Sequence, residues 1–225
     1  MTLVDLRARV LKRLAQDPVT PVYWTNAEVN AALNRGQRLF ALISLCLEKT
    51  VSFALTPGTA WYHLQATLPD FLLPLRVTAG GVKVRPASLD ALDARDDAWG
   101  SSVAAPTEYG VLGVDLLYVR GTTGTLSITY ANEPAPMVAD TDPAVIIDAQ
   151  QPVLEDYAIY RLRAKQGGQE FARALPYWKR FLAAAKAAAA DTEERLRSAG
   201  YDQQSFEITR ILAALEAQAK KAGAK

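Results

Sequence analysis

Apolar side chains recur at helical spacing near both ends of the chain. Close to the N-terminus they occupy positions 3, 6, 10, 11 and 14, directly after a Thr-x-x-Asp capping box formed by Thr2 and Asp5. A second capping box, Thr25 to Glu28, begins a helix that we predict from Asn26 to about Lys49. Gly36 lies on the apolar face of this helix, where glycine costs about 1 kcal/mol relative to alanine. We therefore expect Gly36 to allow the close approach of a neighbouring helix.

The longest amphipathic stretch runs from Leu154 to Ala190 and consists of two helical runs separated by Gly167-Gly168. The second run places apolar side chains at positions 171, 175, 178 and 182. Pro176 lies inside it, so we expect a kink or a restart of the helix there. Apolar helix faces need partner surfaces, which predicts packing in a bundle and against neighbouring copies. The candidate packing residues are Trp24, Leu33, Phe40, Tyr157, Tyr160, Phe171 and Trp178.

The middle of the chain has a shorter apolar period. From residue 50 the period falls from 3.6 residues towards two, which predicts six or seven short strands. We predict one hairpin from Thr50–Leu55 and Trp61–Leu64, a second from Phe71–Thr78 and Val82–Arg85, and a short helix between Ser88 and Asp97. Three further strands are predicted at 109–112, 116–120 and 125–130. Short strands at this spacing indicate a small antiparallel sandwich or barrel.

These elements predict an α+β fold, in which N- and C-terminal helices form a bundle with an inserted antiparallel β-sandwich or barrel-like region. A last helix is predicted from about Ser205, with a narrow apolar stripe of Phe206, Ile208, Ile211, Leu212 and Leu215. The predicted boundaries are residues 1–49 for the N-terminal helices, 50–133 for the β-rich insertion, 144–198 for the C-terminal bundle helices, and 199–225 for the last helix and tail.

Charge is unevenly distributed along a chain whose formal net charge is only +1. Residues 1–49 carry 7 Lys/Arg and 4 Asp/Glu, residues 150–225 carry 13 and 9, and residues 50–149 carry 5 and 11, which makes the middle acidic at −6. Either the helical ends favour Lys and Arg while turns favour Asp, or the segments face different partners. No apolar run reaches the roughly 18 residues of a membrane span, and the N-terminus does not resemble a secretory signal.

Few residues are suited to catalysis or metal binding. His63 is the only histidine and Cys46 the only cysteine, which excludes an internal disulfide and a cysteine-rich zinc site. Aspartates at positions 90, 93, 96 and 97 form an acidic cluster without the spacing of an EF-hand loop, so a solvated face is favoured over a site for Mg²⁺ or Ca²⁺. Phosphate-loop and dinucleotide-binding glycine motifs are absent from the sequence. We therefore expect a protein that is not an enzyme and holds no cofactor or metal.

Several short motifs occur in an order found in a known family. They are Trp24-Thr25-Asn26-Ala27-Glu28-Val29, Asp70-Phe71 with Pro74-Leu75, Arg85-Pro86-Ala87-Ser88-Leu89 with Trp99, Ala105-Pro106-Thr107, Tyr157-Ala158 with Tyr160-Arg161-Leu162-Arg163, and Gly167-Gly168-Gln169-Glu170-Phe171. In this order, residues 3 to 185 resemble the head-to-tail adaptor proteins of tailed bacteriophages. That family has no catalytic signature, so the resemblance rests on pattern and order.

The resemblance implies a ring, commonly of twelve copies, under the portal protein in the neck of the virion. The ring would extend the channel for non-specific passage of double-stranded DNA and offer a surface to the tail, the nozzle or a tail-fibre protein. Assembly would take place in the host cytoplasm. In such adaptors the C-terminal part often reaches the portal, so the stripe from Phe206 to Leu215 is the candidate portal-docking surface.

Two other function classes are open at this point. The β-rich middle is alternatively a carbohydrate- or ligand-binding module of a virion protein, with Trp61, Tyr62 and Trp99 as a stacking surface. That interpretation requires the three rings to be exposed. A hydrolase that uses the acidic cluster is a third class, and it requires a metal-dependent activity that is lost on replacing Asp93 and Asp96.

Replacing Ile211 and Leu215 with Asp is expected to abolish binding to the portal, because docking would bury two carboxylates in an apolar groove. Co-sedimentation with purified portal rings measures the effect, and unchanged co-sedimentation contradicts docking through this stripe. Ala213→Asp with Ala217→Asp, on the opposite side of the predicted helix, is the matched control and should leave binding intact.

Overall fold

Along the chain, helices precede and follow a region of short strands. A computed structural model describes residues 1–20, 23–113 and 115–201. They form two compact units: a helical unit of residues 1–47 and 133–193, and a β unit of residues 48–132 and 194–201. This arrangement of helices and strands confirms the predicted α+β class. The predicted stripe from Phe206 to Leu215 lies outside the described residues.

Six helices and eight strands are numbered in chain order. The helices are α1 (Leu3–Arg13), α2 (Asn26–Ser44), α3 (Leu64–Thr67), α4 (Leu89–Asp93), α5 (Pro152–Gln166) and α6 (Gly168–Ser198). The strands are β1 (Glu48–Ala54), β2 (Trp61–His63), β3 (Phe71–Ala79), β4 (Val82–Lys83), β5 (Arg85–Pro86), β6 (Glu108–Leu112), β7 (Leu116–Arg120) and β8 (Thr125–Asn132).

Both predicted capping boxes are present. The hydroxyl of Thr2 accepts a hydrogen bond from the backbone N–H of Asp5, and the hydroxyl of Thr25 accepts one from that of Glu28 at 3.2 Å. In return, each acidic side chain accepts the N–H of its threonine, at 3.0 and 3.1 Å. These bonds satisfy amide groups that have no partner within a helix. Short-range signals therefore fix where α1 and α2 begin.

The end of α2 differs from the prediction. Apolar spacing predicts a helix to about Lys49, but α2 ends at Ser44, and Leu45 follows in the left-handed region with φ of 49°. Three residues later, Glu48 is already paired with Ala131 in a sheet. The apolar residues Leu45, Cys46 and Leu47 thus form the connection between α2 and β1, which helical spacing alone does not reveal.

Gly36 is the position at which α2 comes closest to α5. A Cβ atom on Gly36 would lie 2.9 Å from Cδ1 and 3.2 Å from Cγ of Tyr157, closer than carbon atoms normally approach. Tyr157 is 3% exposed, and its ring centroid is 4.9 Å from that of Phe181, which in turn lies 6.2 Å from that of Phe40. The expected close approach at Gly36 is confirmed, and it places Tyr157 in the centre of the helical core.

α6 continues through Pro176. The expected restart of the helix at this proline does not occur, although proline removes a backbone N–H and its ring crowds the preceding turn. Ala174 and Phe181, on either side of the proline, are both fully buried. Their packing holds the flanking turns in place and offsets the missing hydrogen bond.

The β unit is a sandwich of two four-stranded sheets. Their strand orders are β1-β8-β3-β4 and β2-β7-β6-β5, and in the described residues every pairing is antiparallel except that of β5 with β6. Buried side chains from both sheets and from their connections form one apolar core, as expected for packed sheets. The core residues are Leu55, Leu64, Leu68, Phe71, Val77, Val84, Tyr109, Leu117, Val119, Leu126, Ile128 and Tyr130.

The first predicted hairpin is wrong. β1 pairs with β8 in one sheet, whereas β2 pairs with β7 in the other. The turn at Pro57-Gly58 does form, with a bond of 2.9 Å from the N–H of Thr59 to the carbonyl of Thr56, but it carries the chain from one sheet to the other. Alternation and turn residues predict strands and turns, but they do not specify the partner of a strand.

The remaining strand predictions agree with the structure, except that the predicted strand Val82–Arg85 is divided between β4 in one sheet and β5 in the other. Thr78 pairs with Lys83 and Ala79 with Val82 around Gly80-Gly81, so the second hairpin is confirmed. β6, β7 and β8 lie within a residue or two of their predicted positions, and Ser88 caps α4. Pro74 lies in β3 at a shift in its register with β8, a place where a strand tolerates a residue without an N–H donor.

Replacing Gly36 with Leu is expected to lower the free energy of unfolding by about 2 kcal/mol, because overpacking against Tyr157 outweighs the higher helix propensity of leucine. Urea denaturation followed by circular dichroism measures the change. Ala31→Leu, on the exposed side of α2, is the matched control and should change the free energy by less than about 0.5 kcal/mol. Gly36→Leu combined with Tyr157→Leu should cost less than the sum of the single changes; strict additivity contradicts the contact.

Candidate protein interface on the helical unit

A groove runs along the solvent side of α2. Ala31, Arg35, Arg38 and Leu42 lie in it at spacings of four, three and four residues, which forms a stripe about 16 Å long. Two cavities of 520 and 680 Å³ lie along this stripe, and Arg35 lines both. We call the stripe and its two cavities the α2 groove.

α5 and α6 form one wall of the groove. Tyr160, Arg161 and Phe171 line the smaller cavity. The turn at Gly167-Gly168, with φ of 70° and 53°, reverses the chain between α5 and α6 and so brings Phe171 beside α5. Phe171 in the smaller cavity is 37% exposed and Leu42 in the larger one is 41% exposed. Each cavity therefore presents an apolar side chain to solvent.

The segment that follows the β unit lines the larger cavity. Pro134 and Pro136 form part of its surface. The side-chain amide of Asn34 holds this segment, since it donates to the carbonyl of Met137 at 2.9 Å and accepts from the N–H of Met137 at 2.8 Å. The two bonds on one backbone residue give this wall of the groove a fixed position on α2.

An ion pair joins the start of α2 to the end of α5 beside the smaller cavity. Lys165 contacts Glu28 at 2.5 Å, and its ammonium group lies 5.9 Å from the ring centroid of Trp24. The hydrogen bond from Lys165, followed by that from the N–H of Thr25, holds the pKa of Glu28 below its usual range. Glu28 is therefore engaged in both a cap and an ion pair.

Two unpaired arginines distinguish the groove from the rest of the helical unit. The unit contains nine arginines, at positions 7, 9, 13, 35, 38, 161, 163, 173 and 180. Seven of them form ion pairs. Arg35 and Arg161 have no ion pair with any residue that the structure describes, and both line the smaller cavity. Both also act on the phenol of Tyr157, whose pKa is raised by burial while their positive charges oppose the rise.

The paired arginines hold α1 and α6 on α5. Arg13 donates to Glu155 at 3.1 Å and to Asp156 at 2.7 Å, Arg9 reaches Glu155 at 3.5 Å, and Arg180 donates to Asp156 at 2.9 and 3.1 Å. Glu155 is only 5% exposed, and a buried carboxylate is tolerated when it is paired and hydrogen-bonded. These charges are thus engaged in holding the helices together.

The structure divides the predicted packing residues by exposure. Trp24, Leu33, Phe40 and Tyr157 are buried, Tyr160 and Trp178 are half-buried, and Phe171 is exposed. The rings of Tyr160 and Trp178 lie 5.2 Å apart, so both contribute to the aromatic cluster of the bundle. Phe171, at 37%, is the most exposed of the seven and the best placed to contact another protein. Arg35 was not among the site residues predicted from the sequence. Its position on the polar side of α2, close to the apolar Leu39 and Leu42, was a usable signal.

The aromatic residues of the β unit do not form an open stacking surface. Trp99 is 4% exposed, its indole N–H donates to Asp93 at 2.7 Å, and its ring packs 5.9 Å from that of Tyr118. Tyr62 is half-buried, and Trp61 is 40% exposed. Since Trp99 is buried and Tyr62 is half-buried, a ligand-binding module based on all three rings is not favoured.

Two of the polar residues considered for catalysis are engaged in pairs. Asp96 accepts from Arg120 at 3.4 Å, and the exposed His63 bonds Asp115 at 2.9 Å. Within the described ranges no cluster of His, Cys, Asp and Glu side chains is arranged to hold a metal ion. In the same part of the chain, no helix has the length and apolar character that crossing a membrane requires.

Comparison with known proteins relates both units to one family. The chain matches the SU10 adaptor protein family over residues 1–204, a range that includes all the described helices and strands. No curated protein sequence matches the chain.

Replacing Asp156 with Asn is expected to lower the free energy of unfolding at pH 7 by about 1–3 kcal/mol. Burial disfavours the Asp156 carboxylate, but hydrogen bonds from Arg180 and Arg13 outweigh it and hold its pKa below its usual range. A carboxyl whose pKa is lower in the folded chain stabilises the fold above the unfolded pKa of about 3.9, and the contribution is lost as pH falls through the folded-state pKa. The variant should therefore lose less stability than the wild type between pH 5 and pH 2.

Urea denaturation at several pH values measures this difference. Asp191→Asn, a change of an exposed acid on α6, is the control and should follow the wild-type profile. Identical acid profiles for the wild type and Asp156→Asn would contradict the role of this carboxylate.

Proposed function

Because the chain belongs to the SU10 adaptor protein family, we propose that this phage structural adaptor forms a ring of twelve copies beneath the portal. An adaptor of this family is a component of the virion and contacts other virion proteins. In the proposed position, between head and tail, the ring extends the channel through which double-stranded DNA passes. Its outer end provides the attachment surface for the tail, the nozzle or a tail-fibre protein.

The family match over residues 1–204 is the observation that carries the proposal. It includes the helical unit and the β unit together, so the whole described chain is adaptor-like and neither unit is an unrelated addition. We propose a non-catalytic role, in which binding surfaces rather than reacting groups perform the function.

The α2 groove supports a role in contacts between proteins. Arginine and aromatic side chains are enriched at protein interfaces, and the groove presents Arg35, Arg161 and Phe171 together. Unpaired guanidinium groups gain most from a partner that brings carboxylates, because charge-assisted hydrogen bonds are the strongest available to them. A ring also requires each copy to contact its neighbours through extensive surfaces.

Docking on the portal is assigned to the C-terminal stripe from Phe206 to Leu215. These residues lie outside the described part of the chain, so the assignment rests on the resemblance to head-to-tail adaptors and on the apolar spacing of the stripe. We propose that the adaptor assembles on the portal in the host cytoplasm and remains in the neck of the virion.

The mass of the purified protein, alone and mixed with portal rings from the same phage, tests the proposal. A chain of 24.4 kDa that becomes a complex of twelve copies on the portal is the expected result. Native mass spectrometry gives the copy number directly. A chain that remains monomeric and ignores the portal would contradict both the ring and its position.

A further inference from the structure

We propose that the α2 groove of one copy binds the acidic α4 segment, residues 88–97, of the neighbouring copy. In this contact Arg35 and Arg161 face Asp90 and Asp97. The inference rests on the proposed ring, because it names the surfaces through which adjacent copies meet. It assigns a partner to the two arginines that the helical unit leaves unpaired.

Unpaired acidic side chains of the β unit are concentrated in the α4 segment. Residues 48–132 contain eight acidic side chains, at positions 48, 70, 90, 93, 96, 97, 108 and 115. Five of them bond a cationic or imidazole side chain. The other three, Asp90, Asp93 and Asp97, have no ion pair with any described residue and lie within eight consecutive positions. All three are exposed, although Asp93 also accepts the indole N–H of Trp99.

The segment and the groove are similar in length. α4 ends at Asp93, but helical turns continue through the bond from the N–H of Ala94 to the carbonyl of Asp90 and that from the N–H of Asp96 to the carbonyl of Leu92. The helical turns from Leu89 to Asp96 span about 12 Å, somewhat less than the stripe along α2, and the flanking Ser88 and Asp97 extend the segment. Beside the aspartates, Ala94 is exposed and Leu89 is half-buried against the core, so the segment also presents some apolar surface.

The composition of the groove favours a protein occupant. Leu42 and Phe171 lie along it with the arginines, and apolar side chains of this kind gain from contact with other apolar groups. A phosphate backbone would match the arginines but not these two side chains. A partner with both carboxylates and apolar side chains matches the two arginines and the two apolar residues, and the α4 segment has this composition.

The proposed contact joins two different surfaces of the chain, which is the kind of contact that a ring requires. A contact between two different surfaces repeats from copy to copy and closes into a ring when the rotation allows it. The groove belongs to the helical unit and the acidic segment to the β unit, so each copy carries both halves of such a contact.

Charge reversal tests the contact on the full-length chain. Arg35→Glu with Arg161→Glu reverses the groove, and Asp90→Lys with Asp97→Lys reverses the acidic segment. Each double variant should weaken association by roughly 100-fold, because like charges then face each other. Sedimentation velocity over a range of concentrations, with and without purified portal rings, measures association.

Two rescue experiments make the assignment specific. In an equal mixture of the two double variants, each groove meets a segment of opposite charge, so rings of alternating copies should form, and native mass spectrometry should find both variants in equal numbers. A chain with all four substitutions should assemble alone. The control is Lys12→Glu with Lys179→Glu, which lies outside the groove. It changes the net charge by the same amount as the groove variant and should assemble as the wild type does. Thermal unfolding of each variant checks that it is folded.

The outcomes separate this contact from the ring itself. Double variants that assemble as the wild type does overturn the contact and leave the ring standing. Loss of assembly that neither mixing nor combination rescues overturns the pairing of groove and segment. Groove variants that form rings but no longer bind the portal make the portal the occupant and overturn the inference. A wild-type chain that never forms a ring contradicts the proposed function and this contact with it.

Discussion

The contact between Gly36 and Tyr157 is the constraint on which the helical unit depends. It sets the separation of α2 and α5, because there is no space between them for even one additional methyl group. The same tyrosine packs against Phe181 and so links α5 to α6. The positive charges of Arg35 and Arg161 interact with its phenol group. One tightly packed position therefore determines both the spacing of the core helices and the width of the groove above them.

Electrostatic interactions in this unit serve two separate purposes. The carboxylates of Glu155 and Asp156 are buried or half-buried, accept bonds from several arginines, and join three helices. Such a network tolerates the loss of a partner poorly, since an uncompensated charge would remain where water is scarce. Arg35 and Arg161 have no comparable restraint, and they lie beside apolar groups at the surface. The charges needed for folding and those available for binding are thus spatially distinct.

Sequence reasoning succeeded where the relevant residues are neighbours in the chain. The capping boxes at Thr2 and Thr25 and the turn at Gly80-Gly81 depend on residues within four positions of each other. The partner of β1 and the pairing state of Arg35 depend on residues far away in the sequence, so neither could be predicted. The acidic middle illustrates the same limit. Four of its acids, at positions 133, 140, 142 and 148, belong to the helical unit, and residues 48–132 carry 6 Lys/Arg and 8 Asp/Glu, a net charge of only −2.

The pairing of β1 with β8 has a consequence for how this protein can vary. These are the first and last strands of the inserted region, and Glu48 lies opposite Ala131, so the chain enters and leaves the sandwich at adjacent points. Because the ends of the insertion are already adjacent, its effect on the chain entropy of the helical bundle is that of a short loop between α2 and the segment leading to α5. Insertions of this kind are readily exchanged or remodelled during evolution, because the host domain experiences little change. The helices can remain constant while the sandwich diversifies.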